Sequence, residues 1–386
     1  MSARANWNYP TTVRFGAGRI AELAEVCATH GIRRPLLVTD AGLASAPITQ
    51  DALERLRAGG LQAALFADLK PNPVAANLDA GLRAYREGGH DGVVAFGGGS
   101  GLDTGKLIAF MSGQTRPVWD FEDIGDWWTR ADADGIAPII AVPTTAGTGS
   151  EVGRAGVLTD EITHTKKIIF HPKMMPRVVI CDPALTVGMP AKITVGTGMD
   201  ALSHCLEAYC APGFHPMADG IAVEGMRLVA RALPRVCAHP DDLDARGEMM
   251  AAAAMGATAF QKGLGGMHAL SHPVGALFDT HHGMTNAVFM PYVLAFNRSE
   301  IAQRIARLSA YIGLQRADFA GFLDWILELR ATLGVPHTLP ELGVDPSRAA
   351  EIAPMAAADP SAGGNPLPFD ARAAAQVFEA ACEGRL

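Results

Sequence analysis

No two cysteines in this chain are spaced as CxxC, no stretch gathers lysines and arginines, and no uncharged apolar run approaches the roughly 20 residues of a membrane span. The six cysteines (Cys27, Cys181, Cys205, Cys210, Cys237 and Cys382) are scattered. That excludes a zinc-ribbon or thioredoxin signature and leaves them to be read as buried thiols. Cys205 and Cys210 stand five residues apart, which places them poorly on one helix face. A formal charge of −8 without a basic cluster argues against nucleic acid, whose binders draw affinity from grouped cations. The opening MSARANWNYP has no apolar run behind its arginine, so no secretory leader is expected and the cytoplasm is the expected compartment.

Apolar material, by contrast, is plentiful: 49% of the 386 residues are hydrophobic, enough for more than one core. The first half alternates strand-like and helix-like segments. A helix is expected near 18–29, strands at PLLVTD (35–40), LQAALFAD (61–68), DGVVAF (91–96) and APIIAVP (137–143), and helices at 48–58 and 75–87 between them. The helix LDTGKLIAFM and the strands KKIIF and RVVICD continue the pattern, which predicts a mostly parallel sheet flanked by helices. Beyond DPALTVGMP (182–190) the β-branched runs give way to long Ala-, Leu- and Met-rich stretches with helical spacing. The chain therefore divides into an α/β domain, 1–185, and an all-helical domain, 186–386. ADPSAGGNPLP (358–368) reads as a surface loop.

GGGSGLDTGK (97–106) follows a strand and opens a helix, where backbone N–H groups and the helix dipole can hold a phosphate. It is neither a Walker A loop nor GxGxxG, and a plain tight turn is the other reading. Asp40, at the carboxyl end of PLLVTD, can accept from a ribose 2′-hydroxyl and would repel a 2′-phosphate, favouring NAD over NADP; equally, it can cap the next turn.

Four of the twelve histidines, His268, His272, His281 and His282, fall within a mainly apolar stretch. Asp200 and His204 share a helix face four residues apart, with Thr197 available as a cap, and His268 and His272 repeat the spacing. Buried imidazoles need partners to offset desolvation, so convergence on a divalent transition metal is favoured over isolated core histidines. Glu207 could compete as a ligand or support one. His30, His90, His164, His171, His215, His239 and His337 stand near Gly, Pro or charged residues and read as surface groups.

Taken together, GGGSGLDTGK, PTTAGTGSEV (143–152), GMDALSH (198–204) and GLGGMHALSHPVGALFDTHHGMTNA (263–287) resemble the iron-containing (group III) alcohol dehydrogenases, from PTTVRFGAG near the start to GGNP near the end. The resemblance implies an amino-terminal dinucleotide-binding α/β domain, a helical metal-binding domain and an active site in the cleft between them. It implies Asp200, His204, His268 and His282 as ligands of Fe²⁺, or alternatively Zn²⁺, with His272 off the metal as a proton-relay group. Asp40, Asn72, Gly97, Gly98, Gly99, Ser100, Asp103, Thr144, Thr145 and Lys166 match positions that hold NAD, although Lys167 stands beside Lys166. His281 either touches substrate or cofactor or packs behind the ligands.

The implied reaction is NAD-linked interconversion of a small primary alcohol and its aldehyde by a homo-oligomer, in the first instance a dimer. With Arg154 just after GTGSEV and HHG at the last ligand, the sequence looks similar to the 4-hydroxybutyrate dehydrogenases, and Arg154 is expected either to clamp a substrate carboxylate or to pair structurally with Glu151 or another acid. Glycerol dehydrogenases, maleylacetate reductases and dehydroquinate-synthase-like lyases share the glycine loop, but the two histidine motifs read together favour the alcohol dehydrogenases. Asp200 with three histidines argues against the metal-free relatives. A non-catalytic NAD sensor would need neither His272 nor the full ligand set.

Overall fold

The structure, a computed structural model, describes residues 5–7, 11–163 and 165–386, so His164 lies outside the described residues. It forms two compact units, Met1–Gly188 and Met189–Leu386.

The first unit contains strands β1 (Ala5–Trp7), β2 (Thr12–Phe15), β3 (Pro35–Val38), β4 (Ala64–Phe66), β5 (Gly92–Gly97), β6 (Ile139–Pro143), β7 (Ala155–Asp160), β8 (Thr165–Phe170) and β9 (Val178–Cys181). Its helices are α1 (Leu23–Thr29), α2 (Pro47–Ala58), α3 (Ala75–Glu87) and α4 (Gly99–Met111). The main sheet runs β1-β2-β9-β6-β5-β3-β4, and every pairing is parallel except β1 with β2. Every residue of β3, β5, β6 and β9 is buried, which is why these strands read as unbroken apolar runs: both of their faces are covered. One core cluster joins Leu37, Val94, Phe96, Ile140 and Ile180 of the sheet to Leu23, Val26, Leu53 and Leu56 of α1 and α2.

KKIIF does not join that sheet. It forms β8 of a separate antiparallel ribbon with β7, which the sequence reading does not anticipate. The half-buried alternation of AGVLTD suits such a ribbon but is short and opens on Ala-Gly.

The second unit holds α5 (Ala191–Cys210), α6 (Pro216–Ala238), α7 (Leu243–Ala259), α8 (Gly266–Phe278), α9 (His282–Tyr311), α10 (Phe319–Thr332), α11 (Ala349–Ala358) and α12 (Ala371–Glu383), with no strand among its described residues. Helix α5 is wrapped by α6, α7 and α9 and is buried from Thr194 to Tyr209. A helix apolar on all sides belongs in a core, so the carboxylates and imidazole it carries, Asp200, His204 and Glu207, must find partners there. Among the described residues, no helix is long and apolar enough to cross a membrane.

Candidate metal centre and nucleotide site

In the second unit, α5 supplies Asp200 and His204, α8 supplies His268, and the first residue of α9 is His282. One ligand atom from each of Asp200, His204 and His268 lies within 4.8 Å of the others, and all three residues are buried. His204 Nε2 is 4.0 Å from Asp200 Oδ1 and His282 Nε2 is 3.7 Å from it. The His204 and His268 rings stack with centroids 4.8 Å apart. A carboxylate oxygen and imidazole nitrogens gathered this closely in an apolar core form a donor set suited to Fe²⁺ or Zn²⁺. Thr197 caps nothing: α5 begins six residues earlier at Ala191, and the Thr197 hydroxyl donates back to Ile193 O within the helix.

A further layer of hydrogen bonds aims these groups. Glu207 accepts from His268 Nδ1 at 2.5 Å and from the Met267 N–H at 2.7 Å, so each of its oxygens is committed and it acts through His268. With the proton on Nδ1, the His268 Nε2 lone pair faces Asp200 and Asn286. The His282 Nδ1 lies 3.3 Å from the Ser271 hydroxyl. Asn286, fully buried and one turn beyond His282, places its amide nitrogen 2.9 Å from Asp200 Oδ1 and 3.2 Å from both His268 Nε2 and His282 Nε2. Burial alone would hold His268 neutral, but the carboxylates of Glu207, Asp200 and Asp359 outweigh it and raise its pKa. The same concentration of negative charge favours a cation.

His272 is bonded through Nδ1 to Asp359 at 2.8 Å, and its ring stacks on His282. Asp359 and Asn286 both escape the sequence reading. Asn286 carried a signal, the i, i+4 spacing from His282; Asp359 carried none, being 87 residues from its partner in a segment read as a loop. That segment is a short 3-10 helix, Pro360–Gly364, followed by the buried Asn365, which exchanges side-chain amide bonds with Asn297 and accepts from Gly266 N at the start of α8. His281 caps α9, its Nδ1 accepting from the Met284 N–H at 3.3 Å. Its ring lies so near Gly196 that a β-carbon there would stand 2.6 Å from it.

In the first unit, Asp40, Gly97 and Thr144 stand at the carboxyl ends of three parallel strands, β3, β5 and β6. The strand order reverses between β3 and β5, the place where open α/β sheets take ligands. Gly97 has φ +132°, which L side chains rarely adopt, and Gly98 opens α4 without a side-chain cap, leaving the first N–H groups at Gly99 and Ser100 directed outward. The Thr144 N–H donates to Gly97 O, and a β-carbon on Gly98 would touch the Thr145 methyl. Asp40 Oδ1 caps its turn by accepting from the Leu43 N–H at 3.1 Å, while Oδ2 lies beside Gly97, so the cap and a ligand contact are compatible.

Asn72 adopts a left-handed φ of 52° next to Pro73, whose carbonyl accepts from Thr159, the β7 partner of Lys166. The neighbouring Lys167 is committed to Asp160 and Glu122 and lies over Trp119. Because successive strand residues point to opposite faces, Lys166 projects away from that cluster. Asp103 is braced within the unit: Oδ1 accepts from the Ser150 hydroxyl and is 3.2 Å from Lys106, and Oδ2 accepts from Val157 N–H. His171 departs from its expected surface position, being buried against Phe110 and Trp128 with its pKa lowered by burial and by Lys173. Arg154 is exposed over the Phe170 ring and does not pair with the buried Glu151.

Residues 10–183 match the family model for iron-containing alcohol dehydrogenase, and residues 194–382 match that for the carboxyl-terminal part of the Fe-containing alcohol dehydrogenase family. The 4-hydroxybutyrate dehydrogenase of Cupriavidus necator is 41% identical over 346 residues, 87% of this chain and 89% of that protein. The NAD-dependent methanol dehydrogenase of Bacillus methanolicus is 33% identical over 381 residues, 97% and 99% of the two chains. Among solved structures, a 1,3-propanediol oxidoreductase superposes with a TM-score of 0.91 at 34% identity, covering 99% of this chain and all of that one.

Proposed function

Because the chain belongs to the iron-containing alcohol dehydrogenase family, we propose that it interconverts a small primary alcohol and its aldehyde, using NAD and a divalent ion held by Asp200, His204, His268 and His282. The observation that carries this reading is the gathering of one carboxylate and three imidazoles on the buried α5 and the helices around it. Fe²⁺ is the first expectation and Zn²⁺ the second. A bound ion supplies positive charge that favours an alkoxide and polarises a carbonyl, and bound NAD⁺ supplies the hydride acceptor.

The chain's own residues do the rest. Glu207, Ser271 and Asn286 hold the donor atoms in place, so little reorganisation is left for the reaction. The N–H groups at Gly99 and Ser100 receive the pyrophosphate, and Asp40 accepts from a ribose hydroxyl, which disfavours NADP. His272 takes the hydroxyl proton during oxidation and returns it during reduction. The balance is alcohol plus NAD⁺ to aldehyde, NADH and one proton.

For the substrate we favour a short ω-hydroxy acid such as 4-hydroxybutyrate. Its support is the exposed Arg154 guanidinium and the name of the Cupriavidus relative. The deciding assay is NADH formation at alkaline pH by purified protein reconstituted anaerobically with Fe²⁺ or with Zn²⁺, against simple alcohols, diols, glycerol and 4-hydroxybutyrate. Metal-dependent turnover that chelation abolishes is expected. A protein that binds NAD yet turns over nothing with either ion would overturn the reading in favour of a metal-free relative or a sensor.

A further inference from the structure

Asp359 opens the 3-10 helix Pro360–Gly364 and uses its two oxygens differently. Oδ1 accepts from the Ser361 N–H at 2.8 Å, fixing the carboxylate plane, and Oδ2 lies 2.8 Å from His272 Nδ1. The His272 ring is held from a second side by His282, at a centroid distance of 5.4 Å and an interplanar angle of 10°. Both side chains are largely covered, Asp359 at 11% and His272 at 21% exposure. Its two oxygens thus accept from a backbone N–H and face the ring nitrogen, the pattern of a carboxylate acting as acceptor with no proton to offer. The proton of this bond therefore sits on His272 Nδ1, and the other ring nitrogen is the one left to exchange a proton elsewhere.

We propose that Asp359 is a positioning residue for His272, fixing the ring's orientation and its Nδ1–H tautomer so that Nε2 performs the proton exchange. The proposal rests on the dehydrogenase reading and adds a residue to it. Asp359 is 87 residues from His272 in sequence, so the 3-10 helix that presents it is part of the catalytic apparatus.

The test is Asp359→Asn in the full-length, metal-loaded enzyme, with Asp359→Glu as the conservative partner. Asparagine keeps the size and can still accept from Ser361 N–H, but it turns an NH₂ group toward His272 Nδ1 and so favours the opposite tautomer. Removing the charge in this way costs about 10⁴ in kcat in the Ser-His-Asp triad; here a fall of at least about tenfold in kcat is expected, with KM for alcohol and NAD and the bound metal changing less than about twofold. Glu at 359 should recover part of the loss. In the zinc-loaded protein, ¹⁵N NMR of the histidines should show the His272 proton moving from Nδ1 to Nε2 in the Asn variant. Unchanged kcat, or an unchanged tautomer, overturns the proposal, as does loss of metal in step with loss of rate. If the wild-type protein shows no metal-dependent turnover, the dehydrogenase reading fails separately, and the NMR readout still decides whether Asp359 sets the tautomer.

Discussion

The Arg154 guanidinium lies 5.4 Å from the Phe170 ring centroid, and no described carboxylate comes within ion-pair distance of it. Its electrostatic neighbour is Asp123, whose pKa burial raises and Arg154 draws partly back down. Stacking on an aromatic face restrains the side chain while leaving the guanidinium edge able to donate, which is the arrangement a carboxylate-binding arginine needs. Arg154→Ala should therefore raise KM for 4-hydroxybutyrate by about tenfold or more, the worth of one charge-assisted hydrogen bond or two, while KM for 1-butanol stays within about twofold. Equal effects on both substrates would show that the residue serves structure. Residue types and spacing brought Asp200, His204, His268, His272 and His282 forward together, and only the family resemblance separates His272 from the other four. Which residues hold that group was less legible: Glu207 was visible one turn from His204, whereas Asp359 owes its place to chain folding that no local pattern records.

At the scale of elements, the site depends on how closely α5 and α9 cross. A β-carbon on Gly283 would stand 2.1 Å from the Gly196 carbonyl oxygen and 2.8 Å from the Asp200 β-carbon, both parts of α5 that cannot swing aside. Gly283 directly follows His282, so the same close approach brings that imidazole to 3.7 Å from Asp200. Gly283→Ala should push the helices apart, costing ~1–3 kcal/mol in overpacking and lowering metal affinity at least about tenfold, the usual scale for disturbing ligand support. The control is Gly220→Ala on α6, where an added β-carbon meets nothing within 4 Å. Chelator competition and thermal denaturation read both variants, and equal behaviour of the two would refute the crossing argument. Element boundaries were legible where burial is complete or punctuation is strong, as in β3, β5 and α3. They were not where context overrides propensity: the first turns of α5, AKITVGT, are rich in β-branched residues and Gly, yet they are helical, and from Thr194 onward the surrounding helices bury them.

For the whole molecule, the four donor residues come from segments separated by up to 82 positions, Asp200 to His282, so an ion held by all of them would tie α5, α8 and α9 together. The unfolded chain offers no such cluster, which makes metal binding a contribution to folding: at a free ion concentration 1,000 times the dissociation constant the gain is ~4.1 kcal/mol. The gathered negative charge that raises the His268 pKa argues in the same direction, because a cation would relieve carboxylates now confined in an apolar core. Adding Zn²⁺ to chelator-treated protein should raise Tm by several degrees, and chelation should reverse the rise. His282→Ala removes one donor at a partly exposed position and should abolish most of the metal-dependent increment while leaving the metal-free Tm nearly unchanged. Were the variant to gain as much from Zn²⁺ as the native chain, the ion would have to bind outside this cluster, and the assignment of its ligands would fall even if the enzyme proved to be a dehydrogenase.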